Sequence, residues 1–287
     1  MTTIKSIVGT VLYESNKPLK EAVEAAVAEG VSLGHANLAN ADLRNANLQG
    51  ADLERANLTG ASLPFANLTG ANLTCARMHL ANFCGAKLTG ADLTDVKAGS
   101  AALNGVDLEG ANLAGAYLEN AEFRGANLAG ANLTGAHLVK SDLQRATLTR
   151  ADLDEADFVS ANLSQANLAG AEGSYFNLEG ANLSHANLAG VELVSAIVQL
   201  ANFAPDTLSG ATIDGHNIIS ATAFGPIGSR NDKLLAALTD DGFYFQTGCF
   251  IGTKEELLAA VESTHPDSQH GRDYKLAIDF LETYLKG

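Results

Sequence analysis

The chain has 287 residues, a formal net charge of −15 and 46% hydrophobic residues, with no tryptophan. Eighteen bases against 33 acids argue against a nonspecific grip on nucleic-acid phosphates. No run of about 18 apolar residues offers a membrane span, so a protein partner is expected, with no direct nucleic-acid or membrane contact.

The opening MTTIKSIVGTVLYESNK has no charged start followed by an apolar stretch, as a signal peptide would. The three cysteines do not form a disulfide pattern, which predicts a reducing, cytoplasmic setting. Residues 4–13 are predicted as a strand and Pro18 to Glu29 as a short amphipathic helix. Its apolar stripe is Leu19, Ala22, Val23, Ala26 and Val27, with Gly30 as the stop. Together, residues 1–30 are expected to form an N-terminal cap that covers the exposed strand edge of the segment after them.

From Leu33 to Phe203 a large apolar residue returns at every fifth position, and Leu208, Ile213 and Ile218 continue the frame. Of the 38 positions from 33 to 218, only Ala98, Gly173 and Val198 break the pattern of large residues. Alanine sits two residues before most of them, as in ADLRN (41–45) and ANLTG (71–75). Alternating Ala, polar, Leu turns Ala and Leu to one side of an extended segment. The other two residues are mostly Gly, Asn, Ser or Thr, which is turn chemistry. Four such segments, each turning a quarter circle, close a 20-residue coil with leucines stacked inside. A period of this kind marks a repeat array, in which each unit buries its apolar residues against its neighbours.

On these residues, roughly 31–221, the chain resembles the pentapeptide repeat family. The resemblance implies an all-β solenoid, a right-handed quadrilateral β-helix. At about 4.8 Å per layer, nine and a half coils make a column roughly 45 Å long. Two breaks in the frame stand out. Gly173 leaves a void at a Leu position, and Phe176 replaces the usual inward Ala, a local volume swap. Ala98 has only Val96 as compensation, so 95–101 is expected to be a weak layer. Asp206, after Pro205, and His216 fall on inward positions, which predicts that the column is ending there.

Residues 222–287 are expected to form a small α/β segment. Asp240-Asp241-Gly242 signals a hairpin between 233–238 and 243–251. Thr253 with Glu256 makes a capping box for a helix to about Thr264, and 272–285 a final helix. This tail, with GSRND (228–232) and QTGCF (246–250), resembles tails of pentapeptide repeat proteins from phages and their bacterial hosts, and no activity comes with that resemblance.

The same period sorts the outward residues onto four faces. The first face, centred on Leu33, Leu53, Leu73 and so on, carries Asp52, Glu54, Asp92, Asp95, Asp152, Asp154, Glu155, Glu172, Glu192 and Asp214 against Arg55 alone. The second and third faces each hold three acids and three bases, and the fourth two of each. An acidic stripe is most often a solvated surface. The resemblance adds a functional reading, because family members that protect DNA gyrase from inhibitors are DNA-shaped acidic rods. Those proteins often carry projecting loops or a dimerisation end, and this column shows no insertion.

The second face is the apolar rival, with Leu80, Tyr117, Val139 and Val159 pointing outward; such a patch can mark a protein contact. Ile197, Leu200 and Ile219 share that face and are expected to be covered by the C-terminal segment. On the fourth face, the recurrent glycine at the last turn position is explained by a turn that needs positive φ.

No catalytic triad, HExxH, Walker or dinucleotide motif appears. Cys75 and Cys84 project from different faces, which excludes a disulfide between them. Cys249, His265 and His270 in the tail could in principle bind a metal, which would place an enzyme in the C-terminal segment, but their irregular spacing favours a buried hairpin cysteine, and Asp152 and Asp154 have no predicted pocket to tune them. No enzyme, metal or cofactor is therefore expected. The reading is a noncatalytic, rigid acidic scaffold for protein–protein interaction from a bacterium or phage. The alternative is a DNA-mimicking modulator of a type II topoisomerase such as gyrase, and a homo-oligomer is compatible with either.

Overall fold

The computed structural model describes residues 1–192, 211–213, 216–227, 232–239, 242–247, 250–266 and 268–286. Leu208 and Val198 of the repeat frame, and Asp206, lie outside the described residues.

The N-terminal strand expected over 4–13 is two strands. Strand β1 (Thr2–Lys5) pairs antiparallel with β2 (Val11–Ser15). The turn between them is closed by Ser6 N–H donating to Thr10 O at 2.8 Å, with Gly9 at φ 90°. Helix α1 (Leu19–Ala28) buries Ala22, Val23 and Ala26, the stripe its spacing predicts. The cap is tied to the first coil by main chain: Ile7 N–H donates to His35 O and Asn37 N–H to Lys5 O, both at 2.8 Å. Glu24 on α1 accepts from Asn47 N–H. The edge of the first layer is thereby paired instead of being left as a template for other strands.

Parallel bridges join each residue preceding a frame position to its equivalent 20 residues on, from Asn37↔Asn57 through Asn167↔Asn187. The chain therefore climbs in four-sided coils of 20 residues, one above the next. The frame residues are inside: Leu33, Leu53, Leu73 and their large apolar counterparts through Leu188 are 2% exposed or less. Each segment ends in a turn such as Ala36 N–H donating to Leu33 O.

Every corner from His35 to Gly190 has positive φ near 60°, on all four faces and not only on the glycine-rich fourth. With the turn bond, this is the type II pattern. None of these corner residues is Val, Ile or Thr, the residues for which a left-handed backbone is worst. Gly130 (φ +62°) has nothing within 4 Å of where a Cβ would stand. Gly130→Val should therefore cost only backbone strain, about 1–2 kcal/mol. Gly130→Asn should cost less, and urea denaturation of the two variants checks the ranking.

The outward residue before each frame position works as a hydrogen-bonding rung. Asn57 accepts from Thr59 N–H and donates to Asn37 Oδ1, both at 3.2 Å, and Asn67 does the same with Thr69 and Asn47. These Asx turns pre-form each corner.

Both breaks in the frame behave differently from a simple void. Phe176 is 1% exposed, filling the interior from the Ala position. Gly173, however, leaves no room at its own site: a Cβ there would lie 2.7 Å from the Leu153 carbonyl carbon. The chain has closed down on the coil beneath. Around Ala98 the ladder continues, with Ala98 N–H donating to Tyr117 O at 2.8 Å, while Leu80 N–H to Gly99 O stretches to 3.4 Å.

After the column, the frame positions Ile213 and Ile218 do not continue it. Strand β3 (Thr212–Ile213) turns back antiparallel onto β4 (His216–Ile227), which crosses the boundary expected at 221/222. These two strands open a five-stranded antiparallel sheet in the order β3-β4-β5-β6-β7, with β5 Asp232–Thr239, β6 Phe243–Thr247 and β7 Phe250–Thr253. The hairpin signal lies where β5 meets β6, Leu238 opposite Phe243. Helix α2 (Lys254–Thr264) starts with the capping box of Thr253 and Glu256, and α3 spans Gln269–Lys286. Leu257, Val261, Ile278 and Leu281 pack these helices over Leu234 and Phe245. Ala237 and Tyr244 of the sheet join the buried cluster of the column.

Candidate interaction surfaces

The acids of the first face divide into two groups. Asp52, Glu54 and Asp92 are half-buried and tied into the scaffold. Asp52 Oδ1 accepts from Glu54 N–H (3.2 Å) and Asn72 (3.3 Å), and Asp92 Oδ1 from Thr94 N–H and Asn112. Glu54 pairs with Arg55 at 3.5 Å. The coils at 112–115 and 132–135 then bring no charge at all. Beyond them, Asp152, Asp154, Glu155, Glu172 and Glu192 are exposed. Asp152 accepts from Asp154 N–H at 3.1 Å and Asp154 from Ser174 N–H at 2.5 Å, so both have scaffold roles as well. Asp214 lies outside the described residues.

An open cleft of about 310 Å³ indents this second group, lined by Arg150, Asp152, Asp154, Glu172, Gly173 and Ser174. The sequence alone predicts no pocket here; Gly173, the break in the frame, is part of its lining. Its carboxylates are exposed, without the burial that tunes a catalytic acid.

A larger cleft, about 490 Å³, runs along the edge between the first and second faces near the N-terminal end. Its lining includes Ile7, His35, Arg55, Arg77, Lys97 and Tyr117, with Cys75 and Asp95. Asp95 of the acidic set therefore lies in a largely basic groove. Sequence reasoning misses this feature because it totals each face by itself, whereas the cleft draws on two faces and the cap.

The faces with balanced charge differ from one another. On the third, Arg44 pairs with Asp42 at 2.7 Å and Arg124 with Asp142 at 2.5 Å; the Arg44 guanidinium holds the Asp42 carboxyl down at about 2. On the second, Arg77, Lys97 and Lys140 and the acids Glu119, Asp157 and Glu179 form no ion pair among the described residues. Leu80 and Tyr117 are 70% and 41% exposed there, and Val139 and Val159 half-buried. Tyr117 stacks on His137, ring centroids 5.0 Å apart. Ile197 and Leu200 lie outside the described residues, as does the side chain of Ile219.

Cys75 and Cys84 are free thiols. No group of three or more His, Cys, Asp or Glu among the described residues is placed to hold a metal. His265 instead stacks on Tyr274, and Cys249 lies outside the described residues. No described helix is long and apolar enough to cross a membrane.

A four-sided coil of 20 residues built from five-residue units, its interior filled by apolar side chains, defines a repeat solenoid. The family model for pentapeptide repeats matches residues 29–63, 61–97, 101–138, 141–172 and 161–203, and the chain belongs to that family. Among solved structures, it is similar to HetL, a pentapeptide repeat protein involved in heterocyst differentiation regulation in the cyanobacterium Nostoc. That match has 34% identity over 66% of this chain and 85% of HetL, with a TM-score of 0.51. It is also similar in fold to the plasmid-mediated fluoroquinolone resistance protein QnrB1, at 20% identity over 60% of this chain and 84% of that one, TM-score 0.50. No curated protein matches the chain significantly. These relatives imply a right-handed quadrilateral β-helix for the column.

Proposed function

We propose that the protein is a noncatalytic, rigid scaffold whose first face docks a basic region of a protein partner, in the cytoplasm of a bacterium or of a host infected by phage. The observation that supports this is the group Asp152, Asp154, Glu155 and Glu172. These acids are exposed, without an ion-pair partner among the described residues, and fixed on a stacked backbone. Charges held on a rigid surface steer a complementary partner and set its register without an ordering cost. The Glu155 and Glu172 side chains make no hydrogen bond to the scaffold among the described residues, so their charge can be reversed without breaking one. Glu155→Lys with Glu172→Lys should abolish capture of a basic partner.

A second reading, a DNA-mimicking modulator of DNA gyrase, draws on the same face and on the even stacking of its coils. A supercoiling assay with purified gyrase tests it. An effect that disappears in the same double variant would favour mimicry. No effect at micromolar protein, with and without a quinolone, would remove it. The neutral coils at 112–115 and 132–135 already interrupt the continuous charge that a phosphate track needs.

A further inference from the structure

We infer that the second face is the contact between two copies of this chain, packed side by side and antiparallel about a two-fold axis midway between Tyr117 and His137. This deepens the scaffold reading by naming one partner, and it uses the second face together with the corner that face shares with the acidic one.

A two-fold axis lying in the contact plane, along the segments, reverses the order of the coils but keeps each residue's position within its five-residue unit. Coils centred on Met78, Ala98 and Leu118 then meet those centred on Leu178, Phe158 and Leu138 of the other copy. Because the bridges Arg77↔Lys97↔Tyr117↔His137↔Asp157↔Asn177 place these side chains in one row, the pairing can be read off directly. Lys97 meets Asp157, Tyr117 meets His137 and Arg77 meets Asn177. In the next row, His79 meets Glu179, and Val159 meets Gly99. In the corner row, Leu80 meets Gly180, and Lys140 meets Asn120 beside Glu119. Lys97 opposes an acid, Arg77 and Lys140 oppose asparagines, Leu80 and the half-buried Val159 oppose glycines, and Glu119 meets Val139. An isologous interface requires this self-complementarity.

Two observations support the assignment, and the two-fold has one consequence at the neighbouring corner. The three bases and three acids of this face form no ion pairs within one chain among the described residues, whereas the third face, with the same counts, does. Leu80 is 70% exposed while its backbone is held at φ 56°, a conformation that costs a leucine strain. Phe65 on the third face, 68% exposed, has the same corner geometry with its ring lying over Gly85; the corner above Leu80 is Ser100. Finally, the same two-fold brings Tyr175, 70% exposed at φ 59°, opposite Cys75. In the dimer its ring would reach the 490 Å³ cleft, which Arg55 and Arg77 line, and guanidinium–aromatic contact is favourable. Glu155 comes opposite Asp95, with Lys97 beside both.

The contact covers six coils, about 29 Å at roughly 4.8 Å each. That strip is narrow compared with the ~800 Å² per partner of a standard interface, so micromolar dissociation is expected. Sedimentation velocity of the full chain at low salt, up to about 200 μM, well above that dissociation range, should show a dimer that weakens as salt rises. Lys97→Glu alone and Asp157→Lys alone should each be monomeric, since each puts like charges opposite twice. An equimolar mixture of the two should form a heterodimer, because both pairs are then complementary. Leu80→Asn, which a positive-φ corner accepts, leaves the fold intact and should weaken association about tenfold. A wild-type chain that stays monomeric at every concentration would overturn the inference. So would a mixture of folded single variants that fails to pair, or a Leu80→Asn chain that dimerises as well as wild type. None of these variants alters Glu155 or Glu172, and partner capture by Glu172, which lies outside the contact, is read separately from association.

Discussion

Leu128→Asp should unfold the column from its middle outward. Leu128 is fully buried and faces the equivalent leucines 108 and 148 in the coils below and above. Removing it forfeits about 1.5–3 kcal/mol of apolar burial. Placing an unpaired carboxylate in the same site adds several kcal/mol of desolvation. A solenoid has only nearest-neighbour contacts to absorb such a loss, so the damage is expected to spread to adjacent coils. Circular dichroism and limited proteolysis should show loss of the column well below the wild-type melting temperature. Ala129→Asp places the same charge one residue further on, outward on the fourth face, and should change stability by no more than about 0.5 kcal/mol. The contrast between adjacent residues isolates the inward position as the cause.

Restoring the repeat at its most conspicuous break should be harmful. Gly173→Leu supplies the residue that the frame demands, yet its Cβ would stand 2.7 Å from the Leu153 carbonyl carbon and 3.0 Å from Asp154 N. The backbone must lift, and Phe176 already occupies interior volume, so a cost of about 1–3 kcal/mol is expected. Phe176→Ala alone empties that volume and should cost about 3–5 kcal/mol. Combined, the two changes rebuild a standard unit, and their costs should fall short of the sum by about 0.5–3 kcal/mol. Urea denaturation of the four chains measures this coupling. Strict additivity would show that Gly173 and Phe176 are unrelated departures.

The inward positions are legible in the sequence because one period fixes both the fold and the direction of each side chain. The corners are legible too, in the absence of β-branched residues at every fifth place, although only the glycines of one face stand out. Where another pattern imitates the signal, the sequence misleads. Ile4, Ile7, Val8 and Val11 are β-branched, as the residues of one strand would be, and Gly9 is the cue that a turn divides them. Ile213 and Ile218 continue the five-residue spacing from within antiparallel strands, which hides the start of the C-terminal sheet. Charge totals per face are also readable, but not which charges are consumed. Whether Arg44 reaches Asp42 while Lys97 stays unpaired depends on side-chain geometry that a count does not contain. The basic cleft requires two faces and the N-terminal hairpin to be placed together.

On the proposed function, the outward charges of the C-terminal coils bind a protein while the rest of the column holds them rigid. The direct test is capture from an extract of the native host, with quantitation of each bound protein. The chains to compare are the wild type, Glu155→Lys/Glu172→Lys, and a control with Glu109→Lys and Glu122→Lys on the fourth and third faces. A basic protein should be retained by wild type and control and lost from the first-face variant, with all three chains melting alike. Equal retention by all three would contradict it.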